Sequence, residues 1–450
     1  MKEKLYPKAQ AVISAFGLAA LGLLFVLWLC AGRHGAAELT AALGCVTLFA
    51  LLCLRFVPEW FSLWFGKEKG EQIKKDPQTA KPIALPALFG IGILWALCNY
   101  FAVWTVLRYV NQDLTAEQFL QFWKSADAYH YLCIARDWYL SEGELDRIVQ
   151  LVFLPGYPIV VRVVSRIVRD YVLSGMLVSV LCFAGALCVF YRLVLEEYSA
   201  DAARRAAVFL CLMPGAFFFF APMSESLFLL LSASCLYACR KRKWLLAGLF
   251  GALAAFTRSL GLMLFVPLFF EFVSDLLHGK RDWVRGVCAL LAVPLGFGAY
   301  LLVNYQVAGD PFQFMIYQRE HWYQGLGLFF STAGYQTRYA LSAAAGGKLD
   351  TLMGLWLPNL AAVFLAPAIL LAGAKKLRAS ETAWAIAYYV IAIGATWLLS
   401  APRYMAVLLP LPTALAALSE RKSVRALLYV LLALANAYYL VMFALRRSVW

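Results

Sequence analysis

Asp127 and His130 stand three residues apart in Ser125-Ala-Asp-Ala-Tyr-His-Tyr-Leu132, a carboxylate and an imidazole set among tyrosines. A carboxylate can take a proton from a hydroxyl and an imidazole can orient the partners, which is the equipment of general-base chemistry. Aromatic residues crowd the flanks: Trp123 before, Trp138 and Tyr139 after, and Phe153-Leu-Pro-Gly-Tyr-Pro158 closing the segment. Trp and Tyr in such numbers mark the headgroup level of a bilayer, where an ionisable pair is expensive to place and therefore a functional candidate. The plain alternative is that Asp127 caps a short helix on a solvated loop.

The rest of the chain must position this loop. Of 450 residues, 63% are hydrophobic and 15% charged, with a mean hydropathy of +0.72. A soluble domain has an apolar share of about half, so the composition specifies a polytopic membrane protein. The apolar runs are continuous and not alternating, which selects helices over a barrel. The net charge of +14 is concentrated in Lys67, Lys69, Lys74, Lys75 and Lys81, in Arg240-Lys-Arg-Lys243, in Lys375-Lys-Leu-Arg378, and in Arg421, Lys422 and Arg425. Each cluster lies between apolar runs and marks a short cytoplasmic loop, not a nucleic-acid surface. Nearly all the cysteines lie inside apolar runs, Cys133 alone lying near a water-facing loop, so neither disulfides nor a zinc site is expected.

Alternation between basic loops and apolar runs yields roughly 11–13 transmembrane helices, with the amino terminus inside and the carboxyl terminus outside. Residues 1–82 form a transmembrane hairpin and a basic linker, and 83–450 the main transmembrane unit, with 107–170 and 309–350 as large extracytoplasmic loops. Arg162, Arg166 and Arg169 recur at helical spacing against Val160, Val161, Val163, Val164 and Ile167. That pattern predicts an amphipathic interfacial helix whose basic face meets lipid phosphates or a lipid-linked substrate. The same alternation collects Asp127, His130, Glu225, Arg258, Asp310, Gln318, His321, Arg403 and Tyr404 on one side. Singly, Glu225 could cap a helix, Arg258 and Arg403 could snorkel, and Asp310 before Pro311 could open a turn. Their common sidedness argues for a shared site.

Asp127-Ala-Tyr-His-Tyr-Leu-Cys-Ile-Ala135, followed by Phe153-Leu-Pro-Gly-Tyr-Pro-Ile-Val-Val-Arg162, resembles the first outer loop of the PIG-V-like mannosyltransferases. That family includes the second mannosyltransferase of GPI-anchor assembly and bacterial relatives. Matches continue in the family's order through Pro214-Gly-Ala-Phe-Phe-Phe, Ser224-Glu-Ser-Leu-Phe228, Thr257-Arg-Ser with Gly261, Gly309-Asp-Pro-Phe with Gln318, and Ser400-Ala-Pro-Arg-Tyr404. The resemblance covers residues 83–450 and leaves the initial hairpin outside it. It implies a GT-C glycosyltransferase fold, an all-α helical bundle whose extracytoplasmic loop bears interfacial helices and the catalytic acid. It implies a polyprenyl-phosphate donor, usually of mannose, and a bacterial plasma membrane, or the endoplasmic reticulum membrane in a eukaryote. Three departures fall near the expected substrate groove: Ala126 stands where the family usually has Trp, Met213 where Asn is common, and Leu260 where Asn is common.

A polyprenyl monophosphate is already a competent leaving group, so such a reaction needs a base for the acceptor hydroxyl and cationic donors around the phosphate, with no cofactor. By resemblance Asp127 would be that base, acting with inversion. Arg258 and Arg403 suit the phosphate because a guanidinium offers planar, permanently charged contacts. His130, Gln318 and Tyr404 would orient donor sugar or phosphate. Tyr131, Glu225, Asp310 and Arg162 would support the site or meet the acceptor, a glycolipid or glycan. No Asp-x-Asp occurs, which argues against a metal-nucleotide clamp, although Glu142-Gly-Glu-Leu-Asp146 could bind a divalent metal. Two rival readings remain open. A transporter or flippase of lipid-linked sugars would show internal repeats, and none is visible. A catalytically degenerate assembly subunit fits Ala126 and Leu260, but the presence of Asp127, Arg258 and Arg403 counts against it.

Overall fold

In lipid an apolar segment can pair its backbone N–H and C=O groups only within itself, so runs like these must be helical. The computed structural model describes residues 2–66, 81–139 and 149–449, and among them the regular elements are helices apart from one antiparallel bridge between Leu326 and Ala395. The first helices are α1 (Lys2–Cys30), α2 (Ala36–Phe65), α3 (Leu85–Val110), α4 (Ala116–Phe122), α5 (Asp127–Asp137) and α6 (Gly156–Val168). Next come α7 (Tyr171–Glu197), α8 (Ala200–Leu212), α9 (Glu225–Arg240), α10 (Trp244–Thr257), α11 (Phe265–Leu277), α12 (Trp283–Ala308) and α13 (Gln313–Trp322). The chain finishes with α14 (Phe329–Ala345), α15 (Leu357–Gly373), α16 (Ala379–Ile393), α17 (Ala401–Ala406), α18 (Pro410–Leu418) and α19 (Lys422–Ala444). Among the described residues, eight stretches are long and apolar enough to cross a membrane, and Trp244–Thr257 and Ala379–Ile393 are shorter apolar helices. The all-α, multi-pass membrane architecture expected from composition is the one the chain adopts.

Helix α7 is the centre of the bundle: 61% of its apolar window is buried, against 6% for α1, which lies at the periphery. It packs on α3, α6, α8 and α9. Small residues let α10 and α12 approach unusually closely. A Cβ on Gly296 would fall 2.1 Å from the carbonyl oxygen of Ala252, so that crossing requires glycine.

The basic clusters gather at one end of the bundle, but they are not simple solvated loops. Arg240 reaches Glu197, and it bonds Glu271 and Glu381 at 2.9 Å each. Arg378 forks onto Glu271 at 2.5 and 2.7 Å, Arg242 bonds Glu271 at 3.2 Å and Asp275 at 3.0 Å, and the Ser380 hydroxyl adds a bond to Glu271 at 2.6 Å. This buried lattice ties α7, α9, α11 and α16 together. At the same end Lys376 binds the Ala417 carbonyl and Arg205 that of Ala416. Glu271→Gln keeps the volume but leaves three guanidiniums facing a neutral amide, so it should destabilise the fold by about 3–5 kcal/mol. An unchanged unfolding midpoint in detergent would show that the lattice contributes nothing net.

At the opposite end, residues 309–350 do more than loop over the surface. After α13 the chain runs extended along residues 394–397, with Gly327 N–H donating to the Gly394 carbonyl at 2.5 Å and Thr396 N–H to that of Gly325 at 2.9 Å. These backbone groups satisfy one another along the irregular stretch at this end of the bundle. Helix α14 then packs on α2, where Arg338 pairs with Glu38 at 3.2 Å. Lys67, Lys69, Lys74 and Lys75, and the acidic run from Glu142 to Asp146, lie outside the described residues.

Candidate active site

Helix α5 presents Asp127 as its first residue. The approach is made by α4, whose Thr115 and Gln118 form a reciprocal capping box, and by Ala126, which reverses the chain at φ 52° and ψ −139°. Trp138 at the far end of α5 also has positive φ, at 69°. Non-glycine residues held in such regions cost about 1–3 kcal/mol each and persist only where packing over-determines them. Here α5 buries Ala128, Tyr131, Leu132, Cys133, Ile134 and Ala135. From α6, Arg162 donates to the carbonyls of Ala135 at 2.6 Å and Ile134 at 3.2 Å, and it lies over the Trp138 ring at 5.5 Å. This corrects the expected basic face. Arg162 turns inward to satisfy the last carbonyls of α5 and supports the loop from behind, and Arg166 and Arg169 are the exposed arginines.

Asp127 does not cap α5. Its Oδ2 accepts from Arg403 Nη1 at 2.6 Å, which joins the start of α5 to α17. Glu225, first residue of α9, accepts from Arg258 Nη1 at 2.6 Å, and its Oε1 lies 3.5 Å from Arg403 Nε. Arg258 also donates to the Ser224 hydroxyl at 3.0 Å, which bonds the Tyr131 hydroxyl at 2.9 Å. Both guanidiniums lie over the Tyr404 ring, at 5.6 and 5.7 Å, and Arg403 also over Phe218 at 5.4 Å. Two carboxylates thus neutralise two guanidiniums, so neither arginine snorkels. Side-chain exposure separates the four: 30% for Asp127, against 2% for Glu225, 8% for Arg403 and 12% for Arg258. Asp127 is therefore the member of the cluster most open to an incoming molecule.

Burial by itself would raise the Asp127 pKa. The Arg403 charge and hydrogen bond outweigh it, with smaller help from His130 and Arg258, and hold the carboxyl below its usual range. Burial pushes the Tyr131 phenol up, so it stays a neutral hydrogen-bonding group. Because the folded pKa of Asp127 is below the unfolded value of about 3.9, its ion pair stabilises the fold fully above that value. The contribution is lost as the pH falls through the lower folded value. Stability attributable to Asp127, measured as the difference in unfolding midpoint between the native chain and an Asp127→Asn variant, should accordingly be flat from neutral pH down to about pH 4 and shrink only below it.

His130 stacks on Phe153 at 4.7 Å, and Trp322 of α13 packs on both rings at 6.1 and 5.8 Å, so the two long segments meet beside Asp127. Gln318, also on α13, donates to Gln324 at 2.5 Å, which in turn binds the Trp397 carbonyl. It braces the extended segment and makes no bond to the charged cluster. His321 lies beside Tyr317 and Trp322. Asp310 accepts from Phe312 N–H at 2.8 Å and opens a turn, its plainer role. Residues that sequence reasoning did not single out include Met223, whose sulfur lies 3.7 Å from Arg403, Phe218, and Tyr388, whose hydroxyl binds the Tyr404 carbonyl at 3.0 Å. A tyrosine within an apolar helix was the available signal for the last. Among the described residues no three His, Cys, Asp or Glu side chains converge as a metal site.

Fold and centre together define a multi-pass helical membrane protein with a buried carboxylate–guanidinium cluster at one end of its bundle. Residues 92–291 match the family described as Mannosyltransferase (PIG-V), and over that stretch the chain is PIG-V-like. The matched stretch includes Asp127, Glu225 and Arg258 and ends before Arg403. GPI alpha-1,6-mannosyltransferase 2 of Rattus norvegicus is 29% identical over 224 residues, covering 47% of this chain. The chain spans less than half the length of that relative, 42% of it. Among solved structures, the oligosaccharyltransferase of Archaeoglobus fulgidus with a tethered acceptor peptide superposes with a TM-score of 0.40 at 14% identity, covering 81% of this chain and 55% of that one. Its complex with an inhibitory peptide and a dolichol-phosphate gives 0.40 at 15% identity, with 81% and 56% covered.

Proposed function

We propose that this chain is a GT-C type glycosyltransferase that moves mannose from a polyprenyl-phosphate donor to a hydroxyl of a glycolipid or glycan, with inversion, at the extracytoplasmic face. The observation that carries this reading is the accessible Asp127 carboxylate held by Arg403, with Arg258 and Glu225 completing a neutral four-charge centre. The PIG-V match and the similarity to a GPI mannosyltransferase support mannose as the sugar and a glycolipid as the acceptor.

The acceptor hydroxyl attacks the anomeric carbon from the face opposite the phosphate. Its oxygen forms the new glycosidic bond, its proton passes to Asp127, and the bond from the anomeric carbon to the phosphate oxygen breaks with its electron pair leaving on polyprenyl phosphate. Arg258 and Arg403 stabilise that growing charge. The arrangement also times the base. Arg403 depresses the basicity of Asp127; a phosphate arriving at Arg403 would share the guanidinium and make Asp127 a stronger base as substrate binds. His130 and Tyr404 line the centre where sugar and phosphate would sit.

The test is transfer in vesicles from isotopically labelled synthetic polyprenyl-phosphate mannose, with extracted glycolipids read by mass spectrometry and compared between cells with and without the gene. Labelled mannose in the lipid fraction together with free polyprenyl phosphate is the expected result. Transfer from a nucleotide sugar instead, or transport of the donor with its sugar unmoved, would overturn the reading.

A further inference from the structure

A groove of 380 Å³ lies at the Asp127 end of the bundle, apart from the charged centre, between the last turn of α3, α4 and the residues after α19. Small-molecule sites usually fall in the range of about 300–1,000 Å³. Its polar groups are committed on one side only. Asn111 Oδ1 accepts from Asp113 N–H at 3.2 Å, and Gln118 Oε1 accepts from Thr115 N–H at 3.0 Å. The amide NH2 groups of both side chains remain as donors. Arg446 lies over the Phe122 ring at 5.5 Å, a stacking that leaves its in-plane N–H groups available. Among the described residues neither Arg446 nor Glu117, which faces the same groove, has an ion-pair partner.

We infer that this groove holds the saccharide headgroup of a membrane-anchored acceptor, at a distance from the transfer centre; the inference rests on the transferase reading above. Leu107, Val110, Leu114 and Phe122 make much of the lining apolar, and its polar groups favour hydroxyls over phosphate, because Glu117 repels the anion that Arg446 would attract, while amide donors and a carboxylate acceptor together match a neutral polyol carried on an apolar wall. The location favours a lipid-anchored source. Span α3 ends here with Tyr109 88% and Val110 66% exposed, and span α19 ends alongside, so the groove opens where headgroups meet water. The route to the centre fits a glycan of more than one sugar. Phe122 packs on Phe443 at 5.4 Å, Phe443 on Phe218 at 5.4 Å, and Phe218 under Arg403 at 5.4 Å, a path longer than one sugar ring. Binding a remote part of the acceptor here would hold its reacting hydroxyl near Asp127.

The test uses the full chain in a non-glycosidic detergent and in phosphatidylcholine vesicles, with mannobiose and a synthetic dimannosyl diacylglycerol as probes. Gln121→Trp fills the groove and Glu117→Ala removes its carboxylate acceptor; both residues are exposed and touch nothing in the charged centre. Saturation-transfer NMR should show mannobiose bound to the native chain and about tenfold more weakly to each variant, the loss of one good polar contact. Acceptor KM should rise by the same factor while kcat and donor KM hold. Affinity unaffected by both substitutions, no binding of either probe, or displacement of mannobiose by inorganic phosphate would overturn the site. Equal affinity for mannobiose and the dimannosyl lipid would overturn the membrane-anchored source. Because binding is read without turnover, a groove that binds mannobiose in a chain that transfers nothing sinks the transferase reading and leaves the site standing.

Discussion

Asp127→Asn should lower turnover by about two to four orders of magnitude, the range a positioned general base contributes, with donor binding retained. Asparagine keeps the size of the side chain and an oxygen for Arg403, but it cannot take the hydroxyl proton. A capping role would predict the reverse, because Asn caps a helix about as well as Asp, and the Asp127 side chain makes no capping bond in any case. Initial rates with polyprenyl-phosphate mannose, alongside thermal unfolding, separate the outcomes. Near-normal turnover would remove Asp127 as the base and shift attention to Glu225, the other carboxylate of the cluster.

Arg403→Lys keeps the charge but loses the planar fork that serves Asp127 and Glu225 together. Removing one preorganised donor from a developing oxyanion typically costs about 10²–10³ in rate, and kcat/KM for the donor should fall by that order. A second effect distinguishes this residue from a merely structural one. With its strongest partner weakened, the Asp127 carboxyl should titrate at a higher pH, so the acid limb of the kcat/KM profile should move upward. An unmoved acid limb with unaltered donor affinity would exclude Arg403 from the centre.

Composition sufficed for the helical membrane architecture, because continuous apolar runs have a single backbone solution in lipid. Alternation of basic clusters went further: it reduced the search for a site to one end of the bundle, where Asp127, Glu225, Arg258 and Arg403 do meet. Sidedness does not choose lateral neighbours, however. Which arginine meets which carboxylate, and that Gln318 and Asp310 stand apart from the cluster, depends on helix packing that no local pattern encodes. Arg162 was misleading for a related reason. Its spacing with Arg166 and Arg169 describes one helix face, whereas its direction is set by the end of α5 lying against that helix. The buried Glu271 lattice was hidden because one acid in an apolar run reads as part of a span, and its three arginines read as loop charge.

Helix α9 has Glu225 as its first residue and Arg240 as its last, and both are locked into buried ion pairs, one at each end of the bundle. Sliding by a single turn, about 5.4 Å, would strip both sets of partners at once and leave charges stranded in apolar surroundings. The helix is thus a pinned axle, and piston motion is closed to this protein as a way of passing a signal from one membrane face to the other. Helix α13 is not pinned in this way: it buries none of its own residues and touches His130 and Phe153 through Trp322.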